Sequence, residues 1–162
     1  MVIRRWVVNA SPLILLGKID HLDLLFELAD AVVVPRAVIG EIAAKPDGAQ
    51  ILHRLSRYVS YSAASDEKVR REILGWDLGA GETQVIANAQ LYGADRLVLD
   101  DIAARRCAMA MGFRVIGTLG VVGRAKRMGK LERAAPIIEH LRRAGLYVSE
   151  ELVQRVLEEV GE

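Results

Sequence analysis

The sequence predicts one α/β domain: a mostly parallel central sheet of about five strands, helices on both faces, and two further helices at the C-terminal end. Three observations carry this. Short apolar runs recur along the chain, segments with helical periodicity separate them, and Gly or Pro marks many of the boundaries. Strands alternating with helices in this way are the pattern of βαβ units. A length of 162 residues, 52% of them hydrophobic and 27% charged, suits one globular domain with a substantial core.

Taken in order, RWVV (5–8) is the first strand, ending on Asn9 where the chain breaks at Ser11-Pro12. HLDLLFELA (21–29) is a helix with Asp20 as its N-cap, and AVVV (31–34) is the second strand. PRAVIGEIAAK (35–45) starts a helix with Pro35 near the first turn, where a missing N–H costs nothing. Further helices are expected at 47–56 and 66–75, with the strand YVSYS (58–62) between them. The helix at 82–92 stops at Gly93, RLVL (96–99) is the fourth strand, and the helix at 102–111 stops at Gly112. FRVIG (113–117) is the fifth strand, followed by a helix at 119–128 that stops at Gly129. Leu131–Ala144 and Glu150–Val160 close the chain as amphipathic helices, the second capped by Ser149 with Glu150 and Glu151 in its first turn.

Composition excludes several classes. No apolar run approaches the roughly 20 residues that span a bilayer. The apolar stretch after Arg4 and Arg5 is interrupted at Asn9, Ser11 and Pro12, so the expected compartment is the cytoplasm, with no membrane partner. A single cysteine, Cys107, rules out an internal disulfide and a cysteine zinc cluster, and its apolar neighbours mark it as a packed thiol. Net charge is +1, but between Ile102 and Arg133 eight Lys or Arg face one acid, Glu132. Such a stretch is either a solvated helix surface or a phosphate grip.

Function in parallel sheets gathers beyond the C-terminal ends of the strands. There the sequence places Asn9, the pair Asp100 and Asp101, and Thr118. Two adjacent carboxylates after a strand repel each other, so a cation or a helix N-terminus must compensate them. Asp101 is positioned to cap the following helix, which leaves Asp100 to explain. Glu82 heads a helical face otherwise made of Val85, Ile86 and Ala89. A carboxylate on a core-facing stripe needs a partner or a metal, unless it serves only the helix macrodipole. Glu41 borders the stripe of Val38 and Ile42. An oxygen-only set of Glu41, Glu82, Asp100 and Asp101 suits Mg²⁺ or Mn²⁺. No histidine (21, 53, 140) falls at a strand end, so histidine-based zinc and Ser-His chemistry lack support. The Gly-x-Gly of LGAGE has Gln84 where a third glycine would complete a nucleotide-binding loop, and it follows a helix.

Four segments carry a resemblance: VVNASPLILLGKI, VVVPRAVIGEI, LGAGETQVIANA and RLVLDDIAARRCAMAMGFRVIGTLGVVGRAKRMG. In this order, from about Val7 to Gly129, they resemble a PIN domain, in the branch of small prokaryotic proteins similar to VapC-type toxins. The C-terminal segment LRRAGLYVSEEL resembles that branch too. The resemblance implies a PIN-like nuclease domain over 1–130, with the helices of 131–162 packed on it. It further implies a Mg²⁺- or Mn²⁺-dependent ribonuclease acting on single-stranded RNA, often a homodimer, made beside a small antitoxin that blocks the site. By position, Asn9 stands where the family has its first aspartate. Glu41, Glu82 and either Asp100 or Asp101 stand at its other acids, and Thr118 and Ser11 supply secondary polar contacts.

An amide at position 9 keeps an oxygen donor but removes one negative charge, leaving either a weaker nuclease or a binding protein without turnover. A purely local role, capping the Ser11-Pro12 turn, is the alternative for Asn9. Arg105, Arg106, Arg124 and Lys126 are the candidate phosphate contacts. Trp76 and Tyr92 are candidates for base stacking, against ordinary packing. The apolar faces of 21–29 (Leu22, Leu25, Leu28) and 131–141 (Leu131, Ile138, Leu141) are candidate dimer surfaces.

Overall fold

The protein is described by a computed structural model that covers residues 3–162. Its sheet has the order β3-β2-β1-β4-β5, from β1 (Arg5–Val8), β2 (Ala31–Pro35), β3 (Tyr61–Ala64), β4 (Arg96–Val98) and β5 (Val115–Ile116). Every pairing is parallel. The expected sheet is therefore present, and it is parallel throughout. β2 is a continuous run of valines because both its faces are covered, with Val32 and Val34 fully buried.

The first crossover contains α1 (Ala10–Lys18) and α2 (Asp23–Leu28), the second α3 (Arg36–Ala43) and α4 (Gly48–Ser56). The chain then returns through α5 (Arg71–Leu74) and α6 (Ala80–Tyr92), which packs across β2, β1 and β4. α7 (Ile102–Ala110) joins β4 to β5, and α8 (Thr118–Arg127) turns back against α1 and α2. Successive crossovers run first one way along the sheet and then the other, so right-handed connections place helices on both faces. α9 (Ala134–Ala144) and α10 (Glu150–Glu159) pack on α8. Among the described residues, no helix is long and apolar enough to cross a membrane.

Four local expectations are corrected. The chain does not break at Ser11-Pro12: α1 starts at Ala10, and Pro12 lies in its first turn, where its missing N–H has no intrahelical use. Asp20 does not cap the next helix. It sits in a left-handed turn with φ 59°, its carboxylate 3.4 Å from Arg54, and α2 starts only at Asp23. The third strand begins at Tyr61 because Tyr58–Ser60 still turn out of α4.

The helix expected at 66–75 is reduced to Arg71–Leu74, since tertiary partners take the preceding backbone. The Glu67 amide donates to Gln84 Oε1 at 2.7 Å, the Gln84 amide returns a bond to the Glu67 carbonyl, and Asp66 accepts from the Ala37 amide. Leu22, Leu25, Leu28, Ile138 and Leu141 are buried in this chain's own core, so they offer no surface to a second copy. Cys107 is also buried, and burial pushes its thiol up from the ordinary value.

Candidate active site

The strand order reverses between β1 and β4, and in open α/β sheets the crevice beyond such a switch point is the natural ligand site. Asn9 and Asp100 flank it, just beyond the ends of β1 and β4. Asn9 takes the N-cap position of α1 with extended backbone (φ −82°, ψ 172°), and its amide N–H bonds the Val98 carbonyl. Its side chain makes no capping hydrogen bond. The residue is 5% exposed, and Oδ1 is buried with no partner among the described residues. The local role considered for Asn9 is thereby excluded. A buried acceptor left unmade costs about 1–3 kcal/mol, so this oxygen is open to a partner from outside the chain, a water or a cation.

Asp100 is held from three directions. Oδ1 accepts from the Thr118 amide at 2.7 Å, and Oδ2 accepts from the Thr118 hydroxyl at 2.7 Å and the Ser11 hydroxyl at 2.9 Å. The Ser11 bond bridges the switch point. Asp101 serves the helix instead, capping α7 with Oδ2, which accepts from the Ala104 amide at 3.0 Å.

On the facing side, α3 presents Glu41 to the start of α6. The Gly81 amide donates to Glu41 Oε1 at 3.0 Å, and a Cβ on Gly81 would stand only 2.6 Å from that oxygen. The second glycine of LGAGE is therefore a seat for Glu41. Glu82 shares the cleft with Glu41. Burial pushes its carboxyl above the ordinary range, and the neighbouring Asp101 and Glu41 push it further, against the pull of the Gly79 backbone.

Asn9, Ser11, Glu41 and Glu82 line one cleft of about 500 Å³. Lys18, Lys45 and Asp47 line it as well, and sequence reasoning missed all three. The signal for Lys18 was its seven-residue spacing from Ser11 along α1, one face of the helix with Ile14 and Leu15 between, which becomes visible only when Ser11-Pro12 is read as a helix start. Lys45 and Asp47 belong to the turn between α3 and α4.

The structure divides the four expected phosphate contacts. Arg105 lies at the rim, its Nη1 reaching the Leu99 carbonyl at 3.4 Å across the bare Cα of Gly117. Arg106 is exposed on the same helix. Arg124 and Lys126 are not brought to the rim, because α8 starts there at Thr118 and carries its last turn away. Arg124 instead lies near Arg96, whose guanidinium is lowered first by burial and then by Arg124, with Arg114 and Arg127 adding to it. Lys126 donates to the Glu132 carbonyl at 2.7 Å. Tyr92, at the far end of α6, bonds Glu67 and carries Arg5 over its ring. Trp76 is partly exposed in the approach to α6.

The residues present match a hard divalent cation in donor chemistry: an orphaned amide oxygen, two carboxylates in the same cleft, and like charges crowding Glu82. Among the described residues, no three His, Cys, Asp or Glu side chains converge closely enough to hold a metal as they stand. The amide of Asn9 stands outside that set. Against known proteins, the family model described as PIN domain matches residues 5–162. No curated protein matches the sequence.

Proposed function

The chain belongs to the PIN domain family, whose members are in general nucleases, and from that premise we propose that it is a metal-dependent endoribonuclease cleaving single-stranded RNA. The observation that carries this reading is the buried, unpartnered Oδ1 of Asn9 in the cleft it shares with Glu41 and Glu82. A Mg²⁺ or Mn²⁺ ion would be held by Asn9, Glu41 and Glu82, with Asp100 and Asp101 beside them. When bound, such an ion neutralises negative charge on the reacting phosphate and makes water a usable nucleophile.

The chain's own residues do the rest. Thr118 and Ser11 fix the Asp100 carboxylate, so its orientation does not have to be found during reaction. Gly81 fixes Glu41 in the same sense. A carboxylate of this set that does not ligate the ion directly is suited to accept the proton of the attacking water. Arg105 and Arg106 on one side, and Lys18 and Lys45 on the other, hold flanking phosphates.

The finer reading extends to the toxin of a VapBC-like pair in the cytoplasm, with a small antitoxin and a second copy of the chain as partners. Its support is the order and spacing of the four resembling segments. A second reading is favoured by one substitution: the amide at position 9 removes a charge from the site, which suits a protein that binds RNA or antitoxin without turning over. Cleavage of a mixed single-stranded RNA pool with Mn²⁺, Mg²⁺ or chelator tests the two. Metal-dependent cleavage lost in Glu82→Gln supports the nuclease. RNA binding without cleavage under any metal supports the binding protein.

A further inference from the structure

A second groove of about 450 Å³ starts at Asp100 and Arg105 and runs under the segment joining α9 to α10. Its walls are apolar, with Ile116 and Leu119 on one side and Leu146 on the other. Leu146 is buried there, whereas the next residue, Tyr147, is 98% exposed at the groove's edge. Among the described residues, the Tyr147 hydroxyl has no hydrogen-bond partner and Arg105 has no ion pair. One weak bond, to the Leu99 carbonyl, leaves most of the Arg105 donors open.

We infer that this groove is a nucleobase subsite. The base of a nucleotide flanking the scissile phosphate stacks on Tyr147 over the apolar floor, and the phosphate beside it is taken by Arg105. The inference rests on the ribonuclease reading and adds where the strand lies.

Three features select this occupant. The groove neighbours the carboxylate cleft through the Ser11–Asp100 hydrogen bond, with Ser11 lining the cleft and Asp100 the groove, so whatever fills it lies beside the reacting phosphate. The Arg105 guanidinium at that end forms no ion pair among the described residues and has donors left to take a phosphate, and a planar exposed ring at the other suits a π-face. The groove's size also falls within the range of small-ligand sites. Every base has a π-face, so stacking alone gives affinity, while selectivity falls to the groove's polar edge at Ser149.

The test uses the full chain in chelator, with fluorescein-labelled single-stranded hexamers of uridine and adenosine and an abasic hexamer, read by anisotropy. Tyr147→Ala and Tyr147→Leu are expected to weaken the base-bearing hexamers by about 5- to 100-fold. Tyr147→Phe is expected to stay within about twofold, and the abasic probe to be indifferent to position 147. Since Tyr147 is solvent-exposed, these variants leave the fold intact. Equal binding by all variants overturns the subsite, as does an equal loss for the abasic probe. A Tyr147→Ala protein that changes sedimentation but keeps RNA affinity also overturns it, making the groove a contact between copies of the chain. Metal-dependent cleavage by the parent, with position 147 irrelevant, removes the subsite alone. A parent that neither binds nor cleaves RNA removes the ribonuclease reading with it.

Discussion

The amide of Gly81 donates to Oε1 of Glu41 across 3.0 Å, joining α6 to α3 over 40 residues of sequence. The approach is possible because Gly81 lacks a Cβ. In Gly81→Ala the new methyl displaces the carboxylate, while alanine itself favours the helix by up to about 1 kcal/mol. The variant is expected to keep its melting temperature within roughly 3 °C of the parent. Its Mn²⁺ affinity is expected to fall about 10- to 100-fold by calorimetry.

Asn9 gives the complementary pair of changes. Asn9→Leu removes an acceptor that has no partner, so the metal-free protein is expected to gain about 1 kcal/mol in urea unfolding while losing its response to metal. Asn9→Asp restores a charge to the donor set. It is expected to tighten Mn²⁺ by about tenfold and to raise cleavage, since ligand charge sets the affinity of such sites.

Glu82 makes stability depend on pH with a defined sign. Its carboxyl is raised by burial, Asp101 and Glu41, so the unfolded chain releases this proton at lower pH than the folded one. Stability is therefore lost as pH rises from the ordinary carboxylate range through the raised value. Glu82→Gln removes that loss. The expected result is a melting temperature higher than the parent's by about 1–2 °C at neutral pH, converging with it at acid pH, when both are scanned without metal.

Thr118 is fully buried and gives Asp100 two of its three hydrogen bonds. Thr118→Val keeps the amide bond and the shape but loses the hydroxyl. A bond to a charged group is worth about 1.5–3 kcal/mol, so a destabilisation of about 2 kcal/mol is expected in urea unfolding at neutral pH, and Thr118→Ser is expected to recover most of it.

Much of this arrangement was legible in the sequence. The buried valines of β2 and the glycines that stop α6, α7 and α8 follow from local patterning, and Ser149 caps α10 as its spacing implied, bonding the Leu152 amide at 3.1 Å. Asn9, Glu82 and Asp100 were placed because strand ends and helix faces have fixed periods. What local pattern does not contain is partner choice. Gln84 claims the backbone of Glu67 and cuts a helix whose own periodicity was sound back to Arg71–Leu74. Residue spacing could not separate Asp100 from Asp101, since the division depends on Thr118 and Ser11 on one side and Ala104 on the other. The direction of α8 takes Arg124 from the rim, and the exposure of Tyr147 depends on how α9 and α10 pack on α8. The unpartnered state of the Asn9 oxygen required the whole crevice.

The most direct test of the account is calorimetric titration of Mn²⁺ into the parent beside Asn9→Leu and Glu82→Gln, with melting temperatures measured on the same samples. Binding by the parent, abolished or weakened at least tenfold in both variants, is the predicted result, and it brings a metal-induced rise of roughly 5–10 °C near 100-fold excess over Kd in the parent alone. Equal binding by all three proteins, or no binding by a folded parent, would contradict the claim that the orphaned oxygen of Asn9 belongs to a metal site.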